Sequence, residues 1–127
     1  MTARALYRRV VVEAGLSSVD EGRRATSAVL HALRDRLTAD EGRQAVAQLP
    51  RELKSLWAPT LAPARPVKMH TPAFYERVAT EGGMSLREAR AATTVVFSAL
   101  KEQLSGGEAG DIRSQLPKDL KAVWEAA

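Results

Sequence analysis

The sequence predicts an all-α fold: two tandem pseudo-equivalent four-helix repeats, about eight helices, packed as one compact helical domain. Three observations lead there. Tyr7 to Trp57 reads again, one residue shorter, as Tyr75 to Trp124, with about two aligned positions in five identical, which marks an internal repeat. Apolar residues recur at helical spacing between cap and stop signals. No segment sustains the period-two alternation of a half-buried strand.

The first helix begins near Ala3, with Leu6, Tyr7, Val10, Val11 and Ala14 on one face, and stops at Gly15. Glycine takes the left-handed conformation that ends a helix at no steric cost. Its copy starts at Thr71-Pro72, a cap residue followed by proline at the first helical position. That copy carries Phe74, Tyr75, Val78 and Ala79 to Gly82-Gly83. The second helix opens on a capping box in both copies, Ser18 to Glu21 and Ser85 to Glu88. Val19, Ala25, Val29, Ala32, Leu33 and Leu37 give it a broad apolar arc, repeated by Leu86, Ala92, Val96, Ala99, Leu100 and Leu104. Ala28, Leu30, Val95 and Phe97 widen the arc, so this is the central helix of each repeat.

A third helix follows the matched boxes Thr38 to Glu41 and Ser105 to Glu108, ending near Leu49 and Leu116. The next residue is proline both times, tolerated only in the first turn of a new helix. Short fourth helices therefore run from Pro50 to Trp57 and from Pro117 to about Glu125. Leu53, Leu56 and Trp57, with Leu120, Val123 and Trp124, close the base of each bundle. The expected boundaries are residues 1–57 and 72–127 for the repeats. Residues 58–71, with Pro59, Pro63 and Pro66, form a proline-rich linker. A repeat this small is marginal alone, so the apolar faces are expected to pack together about an approximate two-fold axis. Separately folded beads are the alternative.

In order, Tyr-x-x-Val, a small-residue stop, Ser-x-x-Glu, Ala-Thr, Leu, Gln-Leu-Pro-x-x-Leu-Lys and Trp occur twice. The chain thereby resembles the bacterial family called domain of unknown function 2267. Gln48-Leu49-Pro50 and Gln115-Leu116-Pro117 are the most specific elements, and the likeness covers nearly the whole chain. The resemblance implies a small cytoplasmic helical protein and transfers no functional residue.

Composition bounds the chemistry. The 127 residues are 45% hydrophobic and 27% charged, a globular balance. With no cysteine, disulfides, thiolate ligands and thiol catalysis are excluded. No stretch is apolar for about eighteen residues, so no membrane span is expected, and Glu13 interrupts the only candidate signal sequence. The net charge of +4 is local. Through Pro63 the balance is +3, and from Pro72 onward it is −1.

Of two histidines, His31 lacks Glu-x-x-His spacing and His70 lies in the linker, so both are read as structural or solvated. Glu21, Glu41, Glu88 and Glu108 have cap roles, and Glu13 and Glu81 are assigned ion pairs with Arg9 and Arg77 four residues earlier. No nucleophile elbow, dinucleotide fingerprint or phosphate loop occurs. No catalytic, cofactor-binding or metal residue is therefore assigned, and the protein is expected not to be an enzyme. Arg4, Arg8, Arg23, Arg24, Arg34, Arg65 and Lys68 form a candidate basic docking face. The expected function is a cytoplasmic helical interaction or scaffold module, binding a protein or its own copy. Nucleic-acid binding through that face is the alternative. Tyr7, Tyr75, Trp57 and Trp124 are expected at the core or its edge.

Overall fold

A computed structural model describes residues 2–57 and 65–127. Among them are eight helices and no strand: α1 (Ala3–Ala14), α2 (Val19–Arg36), α3 (Ala39–Ala47), α4 (Arg51–Trp57), α5 (Thr71–Gly82), α6 (Leu86–Gln103), α7 (Gly106–Gln115) and α8 (Lys118–Ala126). Residues 65–70 carry no helix, and the rest of the expected linker lies outside the described residues.

The two 18-residue helices, α2 and α6, are the central ones. Helix α1 packs on both α2 and α6, and α5 also packs on both. Helix α4 covers α2, α8 covers α6, and α3 meets α7. One apolar core therefore runs from Leu6 and Leu33 to Phe74 and Leu120, which excludes the bead arrangement. Phe97 sits between Phe74 and Trp124, its ring centroid 5.7 Å from one and 5.1 Å from the other, edge to face. Trp57, Trp124 and Tyr7 are buried, and Tyr75 is half-buried. Met69, from the segment read as linker, also enters the core.

Gly15 and Gly83 end α1 and α5 in the left-handed conformation, with φ of 73° and 65°. The caps differ from expectation in three places. Thr71 is the first residue of α5 rather than its cap, and its N–H donates to the Asp119 carboxylate at 2.8 Å. Ser85 and Glu88 make a full capping box, whereas Glu21 accepts from Ser17 N–H instead of returning to Ser18. At α3 and α7 only half of each box forms. Thr38 and Ser105 hydroxyls accept from Glu41 and Glu108 N–H, both at 3.2 Å. The two cap N–H groups go to glutamines of the other half. Thr38 donates to Gln115 Oε1 at 2.9 Å, and Ser105 donates to Gln48 Oε1 at 2.8 Å.

The ion pairs expected within α1 and α5 are replaced by pairs between the halves. Arg9 reaches Ser98 and Glu102 on α6. Arg77 reaches Asp35 on α2, and Glu81 reaches His31 there. Spacing of four along a helix permits an ion pair, but the crossing of α5 over α2 offers Arg77 the buried Asp35, and that of α1 over α6 offers Arg9 the half-buried Ser98 and the exposed Glu102.

Candidate functional site

Six of the seven basic residues read as a docking face are at the surface, and one is not. Arg4, Arg8, Arg23, Arg24, Arg65 and Lys68 are exposed. Arg34 is 7% exposed and must be removed from the docking set. It follows Arg23 by three turns, which places it on the same side of α2, but α4 lies over that end. Its Nη1 donates to the Trp57 carbonyl at 2.6 Å and its Nε to Asp35 at 3.0 Å. The counterpart Lys101 donates to the Trp124 carbonyl at 2.8 Å and to Ala127 at 2.7 Å. Each cation thus satisfies carbonyls at a helix C-terminus, where positive charge is favoured.

Arg23 and Arg24 are brought together, in a shallow groove with Asp20, Ser27, Ser55 and Leu56. The Arg24 guanidinium lies against Gly83, at the end of α5. Tyr7 donates to Glu52 at 3.5 Å beside Arg23. Burial pushes the Tyr7 phenol above its ordinary range; Glu52 adds to this and Arg23 opposes it. His31 is a structural residue: Nε2 lies 2.5 Å from the Leu56 carbonyl and Nδ1 2.7 Å from Glu81. His70 is exposed, 3.3 Å from Asp119.

A different surface gathers the free chemistry. Val12 (76% exposed), Leu86 (55%) and Val67 (39%) are the exposed large apolar side chains among the described residues. Leu86 was expected in the apolar arc of α6, but it stands in the first turn, beyond the reach of the core. It lines a groove with Pro72, Tyr75, Arg87 and Arg90. Val12 lines the adjoining groove with Gly15, Ser85 and Arg87, and Arg87 and Arg90 share a third with Glu13 and Thr94. Neither Arg87 nor Arg90 is in an ion pair among the described residues, whereas Arg9, Arg34, Arg43, Arg77 and Arg113 all are. Burial raises the Tyr75 phenol while Arg90 beside it pulls it down. This surface was missed because Leu86 was counted in the apolar arc of its helix and Val12 was assigned to no face. A sharper reading of their angular position could have found them.

One cluster could hold a cation. Glu41 at the start of α3, with Glu108 and Asp111 of α7, offers carboxylate oxygens all within 4.8 Å of one another. The sequence assigned Glu41 and Glu108 to caps, and their convergence across the α3–α7 contact is a tertiary fact.

No helix among the described residues is long and apolar enough to cross a membrane. The family model described as "Uncharacterized conserved protein (DUF2267)" matches residues 3–123. No curated protein matches the chain.

Proposed function

For this chain, which belongs to the DUF2267 family, we propose the role of a non-enzymatic helical interaction module. Its recognition surface is the first half of α6 with the adjoining edges of α1 and α5. One observation carries this reading: Val12 and Leu86, exposed apolar side chains, line neighbouring grooves that share Arg87, which is in no ion pair among the described residues. Solvent-facing apolar groups around a desolvatable arginine are what a binding surface supplies. The occupant that fits is an acidic amphipathic segment of a partner protein. Its carboxylates would meet Arg87 and Arg90, and its apolar side chains would cover Leu86, Tyr75 and Val12. A cytoplasmic setting belongs to this reading, supported by the cysteine-free sequence.

A photo-crosslinking side chain placed at Leu86 tests it in extract of the source cell. A discrete protein adduct is expected, absent when the probe sits at exposed Lys54 and lost in Arg87→Glu. No adduct, or the same adduct from Lys54, overturns the reading. Nucleic-acid binding is the second reading, favoured by Arg23 and Arg24 sharing a groove. It requires affinity that falls steeply with salt and is reduced by Arg23→Glu.

A further inference from the structure

The repeated Thr/Ser-x-x-Glu pattern at the start of α3 and α7 normally sends the glutamate back to its own cap N–H. Here Gln115 and Gln48 occupy those N–H groups from the opposite half. Each glutamine also presents its amide to the cap hydroxyl, Gln115 Nε2 to Thr38 at 3.3 Å and Gln48 Nε2 to Ser105 at 3.4 Å. Glu41 and Glu108 are thereby freed from capping. Both sit in the α3–α7 contact, 6% and 8% exposed. The Oε1 atom of each is buried with no hydrogen-bond partner among the described residues.

Buried carboxylate oxygens without a partner are costly, and two facing carboxylates add repulsion. An occupant that supplies positive charge at the centre removes both penalties. The separation is near that of a cation site: three oxygens within 4.8 Å of one another need shift inward by at most about 0.4 Å for all to lie at about 2.4 Å from one ion. Asp111 is exposed and leaves a path from solvent, and Gly107 and Gly110 beside it face open space.

We propose that Glu41, Glu108 and Asp111 form a divalent-cation site that ties α3 to α7. Three carboxylates without nitrogen or sulfur select a hard ion, calcium, magnesium or manganese, with water completing its shell. The site joins the two sequence repeats, because Glu41 and Glu108 occupy the same position in each.

The test is thermal unfolding of the chelator-treated full chain with each of the three cations at millimolar concentration, paired with calorimetric titration. One ion per chain is expected, with Tm raised by on the order of 5 °C. Asp111→Asn, at an exposed position that should leave folding intact, is expected to weaken binding by about tenfold or more. Glu41→Gln with Glu108→Gln is expected to abolish binding and to raise the Tm of the cation-free protein. The relative response to calcium, magnesium and manganese identifies the ion. The proposal is overturned if none of the three binds the native chain, as for two carboxyl groups that share only a proton. Binding that Asp111→Asn and the double variant leave unchanged overturns it equally, because the ion then sits elsewhere.

Discussion

Arg34 and Lys101 show how one position of a repeat can do the same work with different chemistry. Both cap the end of the following short helix, at Trp57 and Trp124. Arg34 is buried and also holds Asp35, whereas Lys101 is half-buried and bonds only carbonyls. Lys101→Met should cost about 1–2 kcal/mol, the worth of charge-assisted bonds at a helix end. Arg34→Met should cost about 3 kcal/mol or more, since it strips a buried partner from Asp35. Urea unfolding of both variants checks the order. Asp119 makes a pH prediction at the same scale. The Thr71 N–H holds its carboxyl down to about 2, with His70 and Leu120 N–H helping. Because the folded value is depressed, the stabilisation is complete above the ordinary carboxylate value of 3.8 and is lost as pH falls toward about 2. Asp119→Asn should flatten the part of the stability profile between those values, read by thermal unfolding at stepped pH.

At the scale of elements, the two halves differ at the crossing of their first two helices. Gly22 in α2 lies under α1, where a methyl group would strike the Tyr7 carbonyl and the Val11 side chain. Its counterpart on α6 is Ala89, fully buried with its methyl accommodated. Gly22→Ala should therefore destabilise by about 1–3 kcal/mol, because α1 must move off the core. Ala89→Gly should cost about 1 kcal/mol from helix propensity and lost packing. Chemical denaturation of the pair measures the asymmetry. The helix ends are less individual: Gly15 has positive φ with open space around it, so Gly15→Ala should cost about 1 kcal/mol through backbone strain alone.

The whole molecule is held by exchange between its halves. Arg9 bonds Ser98 while Arg77 bonds Asp35, and Gln48 caps α7 while Gln115 caps α3. Neither half keeps these contacts alone, and α1 rests on α6 as it does on α2. Heating should therefore give a single transition whose calorimetric and van't Hoff enthalpies agree. Phe97→Ala, which empties the space between Phe74 and Trp124 in the second half, should lower that one transition by about 3–5 kcal/mol without splitting it. Two resolved transitions would show independent halves. Both tryptophans are buried, so their emission should resist aqueous quenchers until that transition.

The helices, their order, their stops at Gly15 and Gly83 and the family were all legible in the chain. Each depends on interactions within a few residues, which periodicity and cap chemistry record. The partners of Arg34, Arg9, Glu41 and Glu108 were not legible. The local reading gave each a neighbour on its own helix, or solvent. Helix crossing then gave Arg34 buried partners and Arg9 partners on α6, and it left a buried oxygen of Glu41 and of Glu108 with none among the described residues. The same holds for Leu86: apolar spacing placed it in a core, and only the direction of the helix face put it outside. Sequence thus determined what the segments are, because that is short-range physics. Tertiary structure decided which side chains are left over to act, because burial is settled only when the helices meet.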